Sequence, residues 1–173
     1  MKYYLLETEK GNAIPYSINK NRAIDIRYIN QENSYKISNC SVVEMEVPRE
    51  VFFPDVISTP MFMVDRQFAE VIEMYVPETI FKTVYLLNQE SGMNATYFLP
   101  ILEEIACLSS KTEKSRGGTE LRRIVLKKDM ITSKPIFRIA GFSHSYVIGR
   151  MDLVESVLRR GIKGIGIIEI DTV

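Results

Sequence analysis

The chain is poor in the residues that build most catalytic and metal sites. It has one histidine, His144, and two cysteines, Cys40 and Cys107, among its 173 residues. A zinc site needs three or four such ligands in local clusters, and the two cysteines form no CxxC pair. We therefore expect no metal and no cofactor. We also expect Cys40 and Cys107 to be buried free thiols in a reducing compartment.

Long apolar runs are missing as well. Near the N-terminus, Lys2 and Glu7 flank only four apolar residues, too few for a membrane span or for the core of a signal peptide. This segment is better interpreted as the first strand. No other uninterrupted apolar run is longer. The sequence therefore predicts a cytoplasmic protein that does not associate with a membrane.

The overall composition is that of an ordinary globular protein. Hydrophobic residues make up 46% and charged residues 25% of the chain, which argues against a disordered or fibrous protein. A chain of 173 residues is long enough to bury a core without disulfides. We expect a single domain, residues 1–173, that folds unaided.

Net charge is zero, from 22 basic and 22 acidic residues, but the signs are unevenly spread. Residues 1–110 carry 9 basic and 15 acidic side chains, whereas residues 111–173 carry 13 basic and 7 acidic ones. Most of the positive excess falls within residues 111–128, which hold seven basic and two acidic residues. This asymmetry permits a charged interaction face.

The clearest pattern is a strand, helix and strand used twice, at about residues 62–87 and 146–170. In the first unit, Asp65 is a suitable N-cap, and Pro77 ends a helix of about ten residues. In the second unit, Asp152 and Glu155 have the spacing of a capping box, and Gly161 suits the position just past the helix. The units align imperfectly, so common architecture explains them as well as duplication does.

Most remaining segments are typical of strands and turns. The further strands are predicted at 42–47, 96–99, 122–126 and 135–139. Residues 11–41 are expected to form short surface strands and turns, and residues 109–119 a mobile surface loop. Residues 100–108 stay unassigned between strand and helix. We therefore predict an α+β domain with a mixed, mostly antiparallel sheet.

His144 is the only histidine available as a catalytic base. Nucleophilic catalysis pairs such a base with a hydroxyl or thiol, and nothing in the spacing selects a partner for His144. A polar loop residue is the simpler interpretation, and a small hydrolase built around His144 is a lesser alternative. We assign no catalytic residue and expect no enzymatic activity.

The basic segment 111–128 has two interpretations. It is typical of a solvated loop and strand face, and the same charges suit an acidic protein partner. Binding to nucleic acid or nucleotide is the main alternative, although the segment lacks the interleaved aromatic residues that such modules usually carry. Salt dependence of binding distinguishes a phosphate ligand.

Three long segments together resemble a known bacterial family. They are Met1–Leu6, Pro54–Val64 and the region from Pro135 to Ile165. The pattern is similar to that of immunity proteins from polymorphic toxin systems, a family first catalogued as a domain of unknown function. That family more often has a serine near the start of each helix, where this chain has Asp65 and Gly149.

The resemblance implies a cytoplasmic, non-enzymatic protein that binds and neutralises a cognate toxin. Such a role requires no active site. The candidate partner-binding residues are Arg116, Arg122, Arg123 and Lys127, together with the loop around His144.

Overall fold

The computed structural model describes residues 1–173 and contains thirteen strands and three α-helices. The strands are β1 (Tyr3–Thr8), β2 (Cys40–Glu44), β3 (Val56–Ile57), β4 (Met63–Val64), β5 (Ile80–Leu87), β6 (Asn94–Ile101), β7 (Glu104–Ile105), β8 (Glu113–Lys114), β9 (Leu121–Arg123), β10 (Val125–Leu126), β11 (Ile136–Ile139), β12 (Val147–Arg150) and β13 (Ile165–Thr172). The α-helices are α1 (Arg66–Tyr75), α2 (Lys128–Ile131) and α3 (Met151–Arg159). Two 3-10 turns, Ile26–Tyr28 and Ser34–Lys36, lie between β1 and β2.

The strands form two main sheets and one hairpin. A five-stranded sheet has the order β2-β5-β6-β4-β3, and a six-stranded sheet has the order β10-β13-β1-β12-β11-β7. Strands β8 and β9 pair only with each other. Most neighbours are antiparallel, and the parallel pairs are β2 with β5, β10 with β13 and β7 with β11. The predicted α+β single-domain class is confirmed, with its strands divided between sheets.

In each strand–helix–strand unit, the two strands belong to the same sheet. Strands β4 and β5, joined by α1, are both antiparallel to β6, which lies between them. Strands β12 and β13, joined by α3, are likewise both antiparallel to β1. The flanking strands of each unit are therefore parallel to each other and separated by one antiparallel strand.

The two sheets share this arrangement although their chain order differs. The central strand of the five-stranded sheet, β6, follows its unit directly in sequence. The corresponding strand of the six-stranded sheet, β1, comes from the opposite end of the chain. The N-terminal segment therefore completes a sheet built mainly from C-terminal residues.

Local signals explain where α1 begins and ends. The Asp65 side chain accepts hydrogen bonds from the backbone N–H groups of Gln67 and Phe68, as an N-cap does. The helix stops at Tyr75, and Pro77 disfavours helical geometry at Val76. Its predicted position and length are confirmed.

Helix α3 begins differently from the prediction. The residue at its N-cap is Arg150, which makes no capping hydrogen bond with its side chain. The Arg150 guanidinium instead donates to both oxygens of Asp152, each at 2.8 Å, so the capping box predicted from Asp152 and Glu155 is wrong. At the other end, Gly161 has φ +73°, and the predicted glycine stop is confirmed.

Three apolar clusters hold these elements together. The central one includes Phe68 and Ile72 of α1, Val154 and Val157 of α3, and strand residues from both sheets. The second lies on the other face of the five-stranded sheet, and the third lies on the other face of the six-stranded sheet. Both helices therefore pack against the same central cluster, where they contact each other.

The covering segment, which we define as residues 9–39, departs from the prediction of surface strands. It contains no strand, only the two 3-10 turns and one bridge between Tyr16 and Glu46. Its Ile24, Ile29 and Ile37 are buried in the second cluster. This segment is therefore part of the core because it covers one face of the five-stranded sheet.

Two smaller expectations are also decided. Cys107 is buried but Cys40, at the start of β2, is exposed, so the prediction of two buried thiols is wrong for Cys40. The unassigned residues 100–108 are strand and loop, including the end of β6 and all of β7. None of the three helices has the length and apolar character that a membrane crossing requires.

Candidate protein-binding surface

The hairpin β8–β9 is built around a tight glycine turn in the segment predicted to be a mobile loop. Gly118 has φ +69°, a conformation that glycine adopts at little cost. Its N–H donates to the Ser115 carbonyl at 2.8 Å, and the Ser115 N–H donates to the Glu120 carbonyl at 2.8 Å. The prediction overlooked β8, which is only two residues long.

We define the basic surface as the seven cations of residues 111–128. All seven residues are exposed. They are Lys111, Lys114, Arg116, Arg122, Arg123, Lys127 and Lys128. Only Arg123 forms an ion pair, with Asp171 at 2.9 Å. The other six have no carboxylate within ion-pair distance. These charges are therefore free to meet an external partner.

The loop that carries His144 lies against this hairpin. The Leu121 N–H donates a hydrogen bond to the Tyr146 hydroxyl at 2.9 Å. The Lys114 ammonium lies over the Phe142 ring, 5.5 Å from its centroid. His144 packs edge-on against Tyr146, with their ring centroids 4.6 Å apart. The structure therefore brings the hairpin and the His144 loop into one region.

Four of the five candidate partner-binding residues lie in one region, and Lys127 lies apart from them. Arg116 lies in the hairpin turn, and Arg122 and Arg123 lie on β9. His144 reaches this group through Tyr146. Lys127 lies beyond β10 at the start of α2, and its N–H donates to the Cys107 carbonyl at 2.8 Å. No hydrogen bond or ion pair joins Lys127 to the other four.

His144 has the environment of a packed aromatic residue. Burial lowers the pKa of the imidazole below its ordinary value, so the neutral form is favoured at neutral pH. Its ring has no hydrogen bond to a hydroxyl, thiol or carboxylate in the structure. Burial raises the pKa of the Cys107 thiol to about 11, which disfavours a thiolate nucleophile there. The geometry does not join a nucleophile to a base.

Metal-ligating side chains do not converge in the structure. No group of three or more histidine, cysteine, aspartate and glutamate residues is placed to hold a metal ion. The neighbouring carboxylates Glu103 and Glu104 turn to different cations, Lys134 at 2.6 Å and Arg138 at 3.4 Å.

Arg138 is a buried charged residue that the sequence analysis did not single out. It lies in β11 and is only 8% exposed. Its guanidinium donates to the carbonyl oxygens of Ile29 at 2.8 Å and Phe142 at 2.9 Å, while its Nε has no partner. The sequence signal for this role was an arginine within an otherwise apolar strand, Ile136–Ile139. A charged side chain buried in such a strand needs hydrogen-bond partners.

A cleft of about 340 Å³ opens beside Arg138. Its lining combines residues of the covering segment, of strands β7 and β11, and of the His144 loop: Ile26, Arg27, Asn30, Glu104, Arg138, Gly141, Phe142 and Ser143. Arg138 uses its two terminal nitrogens on backbone carbonyls, which ties the covering segment to the six-stranded sheet. Through its hydrogen bond to Phe142, the Arg138 guanidinium therefore helps to position the His144 loop beside the hairpin.

No family model matches the chain, and no curated protein matches it.

Proposed function

We propose that the protein is a non-enzymatic binding module, an immunity protein that neutralises a cognate bacterial toxin through its basic surface. The observation that supports this proposal most directly is the set of six exposed cations without intramolecular ion pairs. Three of them, Lys114, Arg116 and Arg122, lie on a hairpin that Tyr146 anchors to the buried strands. Complementary charge across an interface speeds association and sets orientation.

The proposed partner is a toxin with an acidic surface around its active region. Arg116 and Arg122 form the centre of the contact because both are exposed on the hairpin and neither has an internal partner. Arginine suits this role, since its planar guanidinium binds carboxylates through two parallel hydrogen bonds. Covering the toxin's active region requires no chemistry from this protein.

Co-expression tests the proposal. The probe is the toxin domain encoded immediately upstream of the gene for this chain in the native host. The wild-type protein should relieve the growth defect that this domain causes, and the double variant Arg116→Glu with Arg122→Glu should fail to do so. Charge reversal at an interface costs several kcal/mol, about a hundredfold or more in affinity.

A matched control separates a specific surface from net charge. The double variant Arg22→Glu with Arg49→Glu makes the same change in net charge at two other exposed positions that have no ion pair. It should retain protection. If the wild-type protein fails to protect, or if both double variants protect equally, the proposed role of the basic surface is wrong.

Binding to nucleic acid is the second candidate function, favoured by the same six cations. A phosphate-dominated complex loses affinity steeply as salt rises, with a slope set by the number of phosphate contacts. Filter binding of single-stranded and double-stranded oligonucleotides across a salt series measures that slope. Salt-sensitive retention that Arg116→Glu with Arg122→Glu abolishes would favour this candidate, and no retention would exclude it.

A further inference from the structure

Strand β13 presents a backbone edge that the rest of the fold leaves open. The outer edges of β2 and β10 are both covered by other segments. At the outer edge of β2, the Asn19 N–H donates to the Glu44 carbonyl, and the Asn21 side chain bonds the Val42 carbonyl and the Glu44 N–H. At that of β10, the Ser109 N–H donates to the Val125 carbonyl. Strand β13 pairs with β1 along residues 165–170, but β10 pairs with it only at Asp171 and Thr172.

Hydrogen bonds at the end of β13 show which backbone groups face outward. Val173 donates to the Leu126 carbonyl and accepts from the Lys128 N–H, both at 2.9 Å, so its backbone groups point toward the β10 side. Alternate residues of a strand direct their N–H and C=O groups to the same side. The backbone groups of Ile165, Ile167 and Glu169 therefore point past the end of β10, where nothing in the fold pairs with them.

The side chains along this edge favour pairing with another strand. Residues 165–170 read Ile-Gly-Ile-Ile-Glu-Ile, with four β-branched residues, one charge and no proline. Within this stretch, Ile168 is 43% exposed. Natural proteins usually block such edges with charge, proline or a covering segment. This edge has none of those features over its first four residues, Ile165 to Ile168.

We propose that the open edge of β13 pairs with the same edge of a second copy of this chain, antiparallel, about a two-fold axis at Ile167. This association is separate from toxin binding. It would join the two six-stranded sheets into one continuous sheet, the mode known as strand addition. Pairing of a surface with itself about a two-fold axis gives a closed dimer.

The ends of the open edge set this register. Strand β10 blocks the edge from Asp171 onward, and Gly164, with φ +71°, turns the chain away before Ile165. The free stretch is centred on Ile167. In the two-fold arrangement Ile165 lies opposite Glu169 of the second copy, and Ile168 lies opposite Gly166, which offers space for it. About six backbone hydrogen bonds would form across the axis.

Charge placement supports the antiparallel direction. Lys163 is exposed at the start of the edge and has no ion pair, whereas Glu169 and Asp171 lie at its other end. Their pairs with Lys2 and Arg123 are exposed and therefore weak. An antiparallel partner brings Lys163 of one copy toward the acidic end of the other. A parallel partner would place like charges side by side.

Sedimentation equilibrium of the full chain across a concentration series tests this dimer. The wild type should show a reversible monomer–dimer equilibrium. Ile167→Pro should be monomeric, because it removes an outward N–H but no hydrogen bond to β1, and edge strands tolerate proline at such positions. Ile167→Val keeps both the N–H and the β-branched side chain, so this control should still dimerise.

A second variant and a second readout guard against misfolding. Ile168→Lys places a charge at an exposed position and should also dissociate the dimer if Ile167→Pro fails to fold. In the wild type, hydrogen exchange at the amides of Ile165, Ile167 and Glu169 should slow as concentration rises. A wild-type monomer at every concentration, larger oligomers, or dimers that survive both substitutions would overturn the proposal. So would protection of these three amides only after host lysate is added, which would indicate a strand from another protein.

Discussion

The backbone N–H of Leu121 donates to the side-chain hydroxyl of Tyr146 at 2.9 Å, across 25 residues of chain. Leu121 begins β9 in the exposed hairpin, and Tyr146 is buried immediately before β12. Pairing within the hairpin is short and irregular, because the register shifts between Glu113 and Lys114. The Tyr146 hydroxyl therefore fixes the hairpin to the six-stranded sheet.

Removing that hydroxyl should loosen the hairpin without disturbing the core. We expect Tyr146→Phe to lower the free energy of unfolding by about 1 kcal/mol, because the Leu121 N–H loses its partner while the ring packing stays. The amides of β8 and β9 should exchange hydrogen faster in the variant. Chemical denaturation and hydrogen exchange measure the two effects.

Tyr85→Phe is the matched control for this change. Tyr85 is an exposed residue of β5, and its hydroxyl makes no hydrogen bond. Its removal should leave both the unfolding free energy and the hairpin amides unchanged. Equal hairpin exchange in wild type and Tyr146→Phe would show that other contacts hold the hairpin.

His144 should make stability fall at mildly acidic pH. Burial lowers the pKa of His144 below its ordinary value of 6.5. Glu7 and Glu120 oppose this shift and Arg138 adds to it. The folded protein therefore binds the imidazole proton less tightly than the unfolded chain does. The corresponding stability is present above pH 6.5 and is lost as the pH falls through 6.5 toward the lowered pKa.

Replacing the only histidine isolates this effect. We expect the difference in unfolding free energy between wild type and His144→Gln to change between about pH 7.5 and pH 5.5, with a slope below about 1.4 kcal/mol per pH unit. Urea denaturation across that range measures it. Carboxylates titrate in both proteins, so they cancel in the difference. Parallel stability curves for the two proteins would contradict the assigned burial of His144.

Elements with strong local signals were predicted well. Helix α1 follows from Asp65, from apolar residues at helical spacing and from Pro77, all within 13 residues of sequence. The end of α3 at Gly161 is equally local. Arg116 and Arg122 were selected as candidates because an excess of basic residues is visible without any knowledge of folding, and their role stays a prediction.

Features that depend on distant residues escaped prediction. The insertion of β1 between β12 and β13 joins the two ends of the chain, and no local pattern specifies it. The capping box at α3 failed because Arg150 competes for the Asp152 carboxylate. Similarly, Arg138 finds its partners 109 residues away at Ile29 and four residues away at Phe142.

Arg138 should be among the most sensitive positions of the chain. Arg138→Met leaves the Ile29 and Phe142 carbonyls without their donor, and Glu104 loses its cation. Each unsatisfied buried group costs about 1–3 kcal/mol, so we expect a total loss of about 3 kcal/mol in the free energy of unfolding. Chemical denaturation measures it, and the amides of Ile26–Tyr28 should also exchange faster.

An exposed arginine provides the comparison for Arg138. Arg122→Met changes the same side chain at an exposed position without an ion pair, and its effect should stay within about 0.5 kcal/mol. A loss at Arg138 as small as the loss at Arg122 would mean that the covering segment does not depend on this guanidinium.

Two glycines after α3 share a backbone conformation but differ in surroundings. Gly161 and Gly164 have φ of +73° and +71°. A Cβ built on Gly161 meets no atom within 4 Å, whereas one built on Gly164 lies 3.0 Å from both the Phe52 ring and the Pro54 Cα. An alanine at either position carries the same backbone strain, but only the second adds a steric conflict.

We expect Gly161→Ala to cost about 1 kcal/mol of unfolding free energy and Gly164→Ala to cost about 1–3 kcal/mol more. The loop at Phe52 and Pro54 has little freedom to move aside. Directly after Pro54, the Asp55 N–H donates to the Lys163 carbonyl at 2.9 Å, and the Asp55 side chain accepts from the Lys163 N–H. Paired denaturation curves of the two variants measure the difference. Equal losses of unfolding free energy in the two variants would mean that Phe52 and Pro54 move aside for the added methyl group. The turn at Gly164 would then not hold the loop before β3 in place.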